Sequence, residues 1–293
     1  MTSTRVVVLG DVMLDVVVQP TGRLAPTSDS SANILVARGG SGANVAIALR
    51  ATGHHVDFVG ASGRDAAGLV FVDALERGRV NARLQLCEAP TGTVVAIIAD
   101  DGQRAMLTDS GANVRLEDSF VVEQLREPFD HIHVSGYLLL RASTRGIGEN
   151  VLALARSRGI PSSVDVCSVA PLMAITPGVF LHSARDASML FANDEEACAL
   201  TDSENAGDAL EVLARSYEEV VVTRGEFGAI AALGALRFTE NALPVEVLDT
   251  TGAGDAATGT YLGARLNGEE PPEALARAMA AAAQVVGGLG ALG

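Results

Sequence analysis

Residues 245–255 read Val245-Glu246-Val247-Leu248-Asp249-Thr250-Thr251-Gly252-Ala253-Gly254-Asp255, and Ala256–Leu266 follows with helical patterning. The apolar start predicts a strand and the glycine-rich turn predicts a sharp entry into a helix. Strand, glycine turn and helix N-terminus together make an anion site. Glycines let the backbone approach a phosphate, and unpaired N–H groups with the helix dipole face it. Asp255 stands in the first turn. A carboxylate there repels a bound phosphate unless it is placed to take a proton from an attacking hydroxyl; it can equally serve as a helix cap. Gly252-x-Gly254-x-x-Ala257 also fits a dinucleotide fingerprint, which needs a second strand ending in an acidic residue ~20 residues on. Only Pro271-Pro272, an alanine-rich helix over Glu273–Val286 and a glycine-rich end follow, so that reading fails.

Outward from this segment, short apolar runs alternate with helical patterns. Val6–Leu9, Val56–Gly60, His131–Ser135, Ser163–Val166, Met189–Ala192 and Val220–Thr223 read as strands. Ala43–Ala51, Ala66–Glu76, Ile147–Arg158 and Asp208–Arg215 read as helices. The alternation predicts an α/β protein, a mostly parallel sheet with helices on both faces. Two regions break it. One, 12–38, holds Val16-Val17-Val18 and Ile34-Leu35-Val36; the other, 91–109, holds Thr93–Ala99, the turn Asp100-Asp101-Gly102 and Arg104–Leu107. Both read as antiparallel excursions that form one small sheet, a β lid over the strand ends. The expected organisation is a core of 1–11, 39–90 and 110–293 with a lid of 12–38 and 91–109.

All 21 basic residues are arginine, which excludes a Walker A lysine, a Schiff base and a lysine general base. A net charge of −15 argues against nucleic acid and anionic lipid as partners. Cys87, Cys167 and Cys198 form no C-x-x-C pair, so reduced thiols are expected. No leader and no membrane-length apolar run is read, so the expected location is cytoplasmic. His131 and His133 share a strand face without a third ligand and read as packed; His54-His55 reads as a surface turn.

The segment 249–255 resembles the C-terminal signature of the PfkB (ribokinase-like) sugar and nucleoside kinases. Other stretches agree in order. Arg38-Gly39-Gly40-Ser41-Gly42-Ala43-Asn44 resembles the N-terminal signature, Gly10-Asp11-x-x-x-Asp15 the first-strand motif, Asn193-x-x-Glu196 a mid-chain motif and Thr223-Arg224-Gly225-x-x-Gly228 a nucleotide-side loop. The resemblance covers the whole chain and implies a ribokinase-like fold. It implies Asp255 as general base, with the backbone N–H groups of Gly252, Ala253, Gly254 and Asp255 as an anion hole for the γ-phosphoryl group of ATP. It implies Asp15, Gly39, Gly40 and Asn44 on substrate hydroxyls. Thr223, Arg224, Gly225 and Gly228 fall on the nucleotide side, and Asn193 and Glu196 act near Mg²⁺ through water. Asp249 stands where a monovalent cation such as K⁺ is held. Without the resemblance, Asn193 and Glu196 read as a helix capping box, Asp11 as a turn residue and Arg224 as a solvated loop charge.

Ala257 departs from a position where an aromatic residue is frequent in the family, and Met279 with its alanine neighbours gives the nucleotide side an apolar lining. Neither lid segment contains Phe, Tyr or Trp, which disfavours stacking of a nucleoside base. The expected acceptor is a primary hydroxyl of a small sugar, ribokinase- or fructokinase-like. A nucleoside kinase is the alternative, and a non-catalytic sensor a weaker one. The lid also carries Arg23, Arg38 and Arg104. Arg104, just after the hairpin turn, is the candidate for a second anionic group on the acceptor. The apolar excess of the lid predicts a homodimer joined through it.

Overall fold

The strands at the centre of the larger sheet fall on buried apolar runs. The computed structural model describes residues 4–23, 25, 27–98, 104–247 and 250–288. The strands are β1 (Arg5–Leu9), β2 (Met13–Pro20), β3 (Ala32–Gly39), β4 (His55–Gly63), β5 (Asn81–Cys87), β6 (Gly92–Ile98), β7 (Arg104–Asp109), β8 (His131–Ser135), β9 (Ser162–Asp165), β10 (Met189–Asn193), β11 (Glu219–Thr223), β12 (Ala229–Leu233) and β13 (Leu236–Glu240). Nine of them form one sheet in the order β13-β12-β11-β10-β9-β8-β1-β4-β5. Pairing is parallel from β11 through to β5 and antiparallel at β11–β12 and β12–β13.

The central strand shows why. Val6, Val7, Val8 and Leu9 are all buried, so both faces of β1 are covered. Val7 and Leu9 pack with Val151, Leu152 and Ala155 of the helix Arg145–Ser157 on one side. Val6 and Val8 pack with Ala43, Ala46 and Leu49 of the helix Ser41–Ala51 and with Tyr261 and Leu262 of the helix Ala253–Leu266 on the other. Among the described residues no helix is long and apolar enough to cross a membrane.

The remaining four strands form a second sheet, β3-β2-β6-β7. The pairs β2–β3 and β6–β7 are antiparallel as expected, but the two hairpins join through a parallel β2–β6 ladder. The turn 100–102 lies outside the described residues.

Two further expectations are corrected. Val245–Val247 forms no strand; the sheet edge is filled instead by the β12–β13 hairpin, and Val247 stays 65% exposed. Leu248 lies outside the described residues. His54 is not a surface residue. Its ring is buried, and Nε2 lies 3.0 Å from the Gly263 carbonyl, tying the turn before β4 to the helix Ala253–Leu266.

Candidate active site

Five parallel strands end on one edge of the large sheet and bring polar residues with them. Asp11 follows β1, and Ser135, Asp165, Asn193 and Thr223 close β8, β9, β10 and β11. Ligands of open α/β sheets bind outside these carboxyl ends. Here they border a cavity of about 810 Å³ whose wall includes Asp11, Asp165, Asn193 and Thr223. The small sheet closes it with Asp15, Val94 and Thr108, and the start of the helix Ala253–Leu266 closes it with Gly252, Gly254 and Asp255.

Gly252 precedes that helix with φ 78°, a left-handed conformation suited to glycine. The first intrahelical bond runs from Ala256 N–H to the Gly252 carbonyl at 2.9 Å. The N–H groups of Gly252, Gly254 and Asp255 precede that bond, at a helix start that lines the cavity. Ala253 is a correction to the expected four-residue hole, because its N–H donates to the Thr250 carbonyl at 3.2 Å.

Asp255 is held from the opposite side. Ser41 Oγ donates to Oδ1 at 2.7 Å and Asn44 Nδ2 donates to Oδ2 at 2.8 Å. Both come from the first turn of the helix Ser41–Ala51. The buried Arg38 guanidinium donates to Asn44 Oδ1 at 2.6 Å, fixing which end of the amide faces the carboxylate. Burial pushes the Asp255 carboxyl up to about 6 against these two hydrogen bonds, and Asp11 adds a like-charge push. The result is a raised carboxylate at the start of the helix Ala253–Leu266, on the cavity wall.

On the far side of the cavity, Asn193 caps the helix Asp194–Thr201. Its Oδ1 accepts from Glu196 N–H at 2.8 Å, and Glu196 Oε2 accepts from Asn193 N–H at 2.9 Å, a complete capping box. Glu196 is buried, and desolvation raises it to about 7 against the Asn193 N–H bond, with Asp255 and its helix neighbours Glu195 and Asp194 pushing the same way. Asp165 is driven well above the carboxylate range by burial first, then by Glu196 and Asp255. The capping and cation-side readings of Glu196 are thus compatible. Its backbone partner fixes the carboxylate, and its position leaves the cavity short of positive charge.

A sequence profile of the pfkB family carbohydrate kinases matches residues 3–292. The chain belongs to the pfkB family. Its members are phosphotransferases with a hydroxyl acceptor. The bifunctional protein HldE of Aeromonas hydrophila is 29% identical over 98% of this chain, which spans 61% of that protein's length. An ATP-dependent ribose-1-phosphate kinase of Halopiger xanaduensis is 28% identical over 98% of this chain and 93% of its own. The structure of Arabidopsis thaliana ribokinase complexed with ribose and ATP superimposes with a TM-score of 0.81, covering 99% of this chain and 94% of that one at 24% identity. The fold is therefore ribokinase-like.

Most of the residues singled out by pfkB resemblance converge on the cavity: Asp15, Gly40, Asn44, Asn193, Glu196, Thr223, Gly252, Gly254 and Asp255. Gly39 acts from behind it. A side chain at position 39 would collide with the Asp15 carboxylate, so glycine lets that carboxylate lie against the turn. Arg224, Gly225 and Gly228 are not part of the cavity wall. Arg224 Nη2 donates to the Phe227 carbonyl at 2.8 Å and closes its own loop. Arg104 begins β7, but its side chain lies outside the described residues, as does Asp249. Sequence reasoning gave no role to Ser41, Asp165, Tyr137 or Arg141, all of which line the cavity. Ser41 lay inside a quoted motif, and its spacing to Asn44, one helical turn, was the available signal. Asp165 ends β9, and Tyr137 and Arg141 lie in and directly after the short helix Gly136–Leu140 that leaves β8, positions that sequence marks only once the strands are known.

Proposed function

We propose that the protein is an ATP-dependent kinase that transfers the γ-phosphoryl group to a primary hydroxyl of a small sugar. The observation that carries this is Asp255. A carboxylate raised by burial stands on the cavity wall at a helix start, beside N–H groups that precede the first intrahelical bond. In the reaction the acceptor oxygen forms a bond to phosphorus and the bond to the ADP oxygen breaks. The hydroxyl proton passes to Asp255. The N–H groups of Gly252, Gly254 and Asp255 hold the charge that gathers on the phosphoryl oxygens. Asp15 accepts acceptor hydroxyls, while Asn44 and Ser41 fix the base. Phe191, Val221, Ala257, Ala278 and Met279 supply the apolar wall for the adenine.

Among the described residues no cluster of three His, Cys, Asp or Glu is arranged to hold a metal unaided. The donor set fits Mg²⁺, which keeps several waters and binds through few carboxylates and phosphate oxygens. Glu196 would hold it, and the mutual repulsion of Glu196, Asp165 and Asp255 is what a divalent cation relieves. When bound it neutralises charge on the phosphates. Dependence on K⁺ through Asp249 stays part of the proposal, as does a cytoplasmic setting. So does a homodimer through the small sheet with no nucleic-acid or membrane partner. The core-and-lid division at 12–38 and 91–109 completes it, with the small sheet closing over the acceptor.

The nucleoside alternative needs an aromatic platform, and Tyr137 already carries the Arg141 guanidinium 5.1 Å from its ring centre. A coupled ADP-release assay over neutral sugars, sugar phosphates, sugar acids and nucleosides tests the reading. Sugar-dependent ADP release supports it; release only with nucleosides, or none above the ATP-only rate, rejects it.

A further inference from the structure

Arg141 is the charge on the cavity wall that the mechanism leaves unused. It follows directly on the helix Gly136–Leu140, which leaves the end of β8. Its carbonyl accepts from Thr144 N–H and Arg145 N–H at 3.2 and 2.9 Å, so its backbone is anchored. Its guanidinium lies over Tyr137, 5.1 Å from the ring centre. Among the described residues it makes no side-chain hydrogen bond or ion pair. A guanidinium has five N–H donors; here they face a cavity.

The surroundings sharpen the point. Asp11, Asp15, Asp165, Glu196 and Asp255 line the same cavity. Arg141 acts on Asp11 from a distance, opposing the upward push of burial on that carboxyl. Arg38, the other guanidinium near the base, is engaged with Asn44. Position separates Arg141 from the nucleotide. It leaves β8, next to β1 and the Asp11–Asp15 segment, whereas Asn193 and Thr223 end β10 and β11, two and three strands away. At ~4.8 Å per strand that is roughly 10–14 Å. Val94 and Thr108 of the small sheet close over the same side.

We propose that Arg141 binds an anionic group, phosphate or carboxylate, carried by the acceptor, so that the substrate is a sugar phosphate or sugar acid with a free primary hydroxyl. This rests on the kinase reading above and narrows it. The planar fork of a guanidinium matches the two oxygens of such a group, and an arginine held over a ring with an anchored backbone loses less freedom on binding.

The test compares neutral sugars with charged relatives: ribose with ribose 1-phosphate, fructose with fructose 1-phosphate, and glucose with gluconate. ADP release is followed for the wild type, Arg141→Gln and Arg141→Lys. In the wild type, kcat/KM for a charged acceptor is expected to exceed that of its neutral parent by about tenfold or more. Arg141→Gln should remove that advantage through acceptor KM, leaving ATP KM in place. Arg141→Lys should restore only part, because an ammonium cannot pair two oxygens in one plane. The phosphate and carboxylate arms separate the two sources of charge. Preference for neutral sugars overturns the proposal. So does a charged-to-neutral ratio that Arg141→Gln moves by less than about threefold, or an effect of that variant on ATP KM instead. If no acceptor releases ADP, the kinase reading itself falls. Calorimetric titration of ribose 1-phosphate against ribose then decides Arg141 separately, equal affinity in wild type and Arg141→Gln overturning it.

Discussion

Asp255 is held between opposed forces. Burial favours its neutral acid, and the hydrogen bonds from Asn44 and Ser41 favour the charged base. The carboxyl titrates near 6, so the form able to accept a proton dominates above that pH and is lost below it. We expect kcat to rise with pH through about 6 and to level off above. Ser41→Ala removes one bond that favours the charged form, so the acid limb should move to higher pH, by on the order of one unit. A limb that stays in place, measured as kcat against pH, would remove Ser41 from the control of the base. That Asp255 lies with Gly252 and Gly254 on the cavity wall was legible in the sequence, because a glycine turn running into a helix keeps these residues together. Its hydrogen-bond partners were not. Asn44 was expected on substrate, yet its amide oxygen is taken by Arg38 and one amide N–H by Asp255, contacts that span up to 211 positions.

Among the elements, β8 carries the least expected cost. His131 Nε2 and His133 Nδ1 both lie 2.9 Å from Ser163 Oγ on the neighbouring β9. Their other ring nitrogens, Nδ1 of His131 and Nε2 of His133, are buried without a partner. Burial lowers both rings to about 3, and each stays neutral in the fold. An unfolded histidine gains its proton below about 6.5. Stability is therefore lost as pH falls from about 6.5 toward 3, by roughly 2 kcal/mol per ring at pH 5. The raised carboxyls Asp11, Asp165 and Asp255 act in the opposite sense, so the comparison with a variant isolates the histidines. Urea unfolding of His133→Phe between pH 7 and 5 should show a shallower loss than the wild type; parallel curves would contradict the burial argument. At this scale the sequence was a good guide wherever an element is fully buried: His131–Ser135 is a strand with the bounds expected. It was a poor guide at the sheet edges. In β5 Asn81, Arg83 and Gln85 alternate with apolar residues and no residue is fully buried, and β13 is mostly exposed, so neither stands out as an apolar run. The parallel β2–β6 join was illegible for a different reason. Hairpin turns declare their own pairing, but nothing local declares how two hairpins meet.

At the scale of the whole molecule, the small sheet is out of balance. Its outer strands leave Ile34 63%, Leu35 51%, Val36 53%, Met106 64% and Leu107 61% exposed. A four-stranded sheet with apolar residues open at both edges buries too little of its own surface. A second copy, applied through the same sheet, would cover them. Light scattering at micromolar concentration should give twice the 30.1 kDa chain mass, and Leu35→Asp with Leu107→Asp should shift it toward the monomer. A wild-type monomer with full turnover would reject the dimer.

All three scales meet in Asp255, a carboxylate presented by a helix start at the edge of a parallel sheet, which we propose is the base of a kinase. The most direct measurement is ADP release by Asp255→Asn, with ATP binding followed separately by calorimetry. The amide keeps the volume but cannot take the hydroxyl proton. If Asp255 is the base, kcat falls ~10²–10⁴-fold with ATP affinity nearly unchanged. Turnover by the variant within about threefold of the wild type would contradict it.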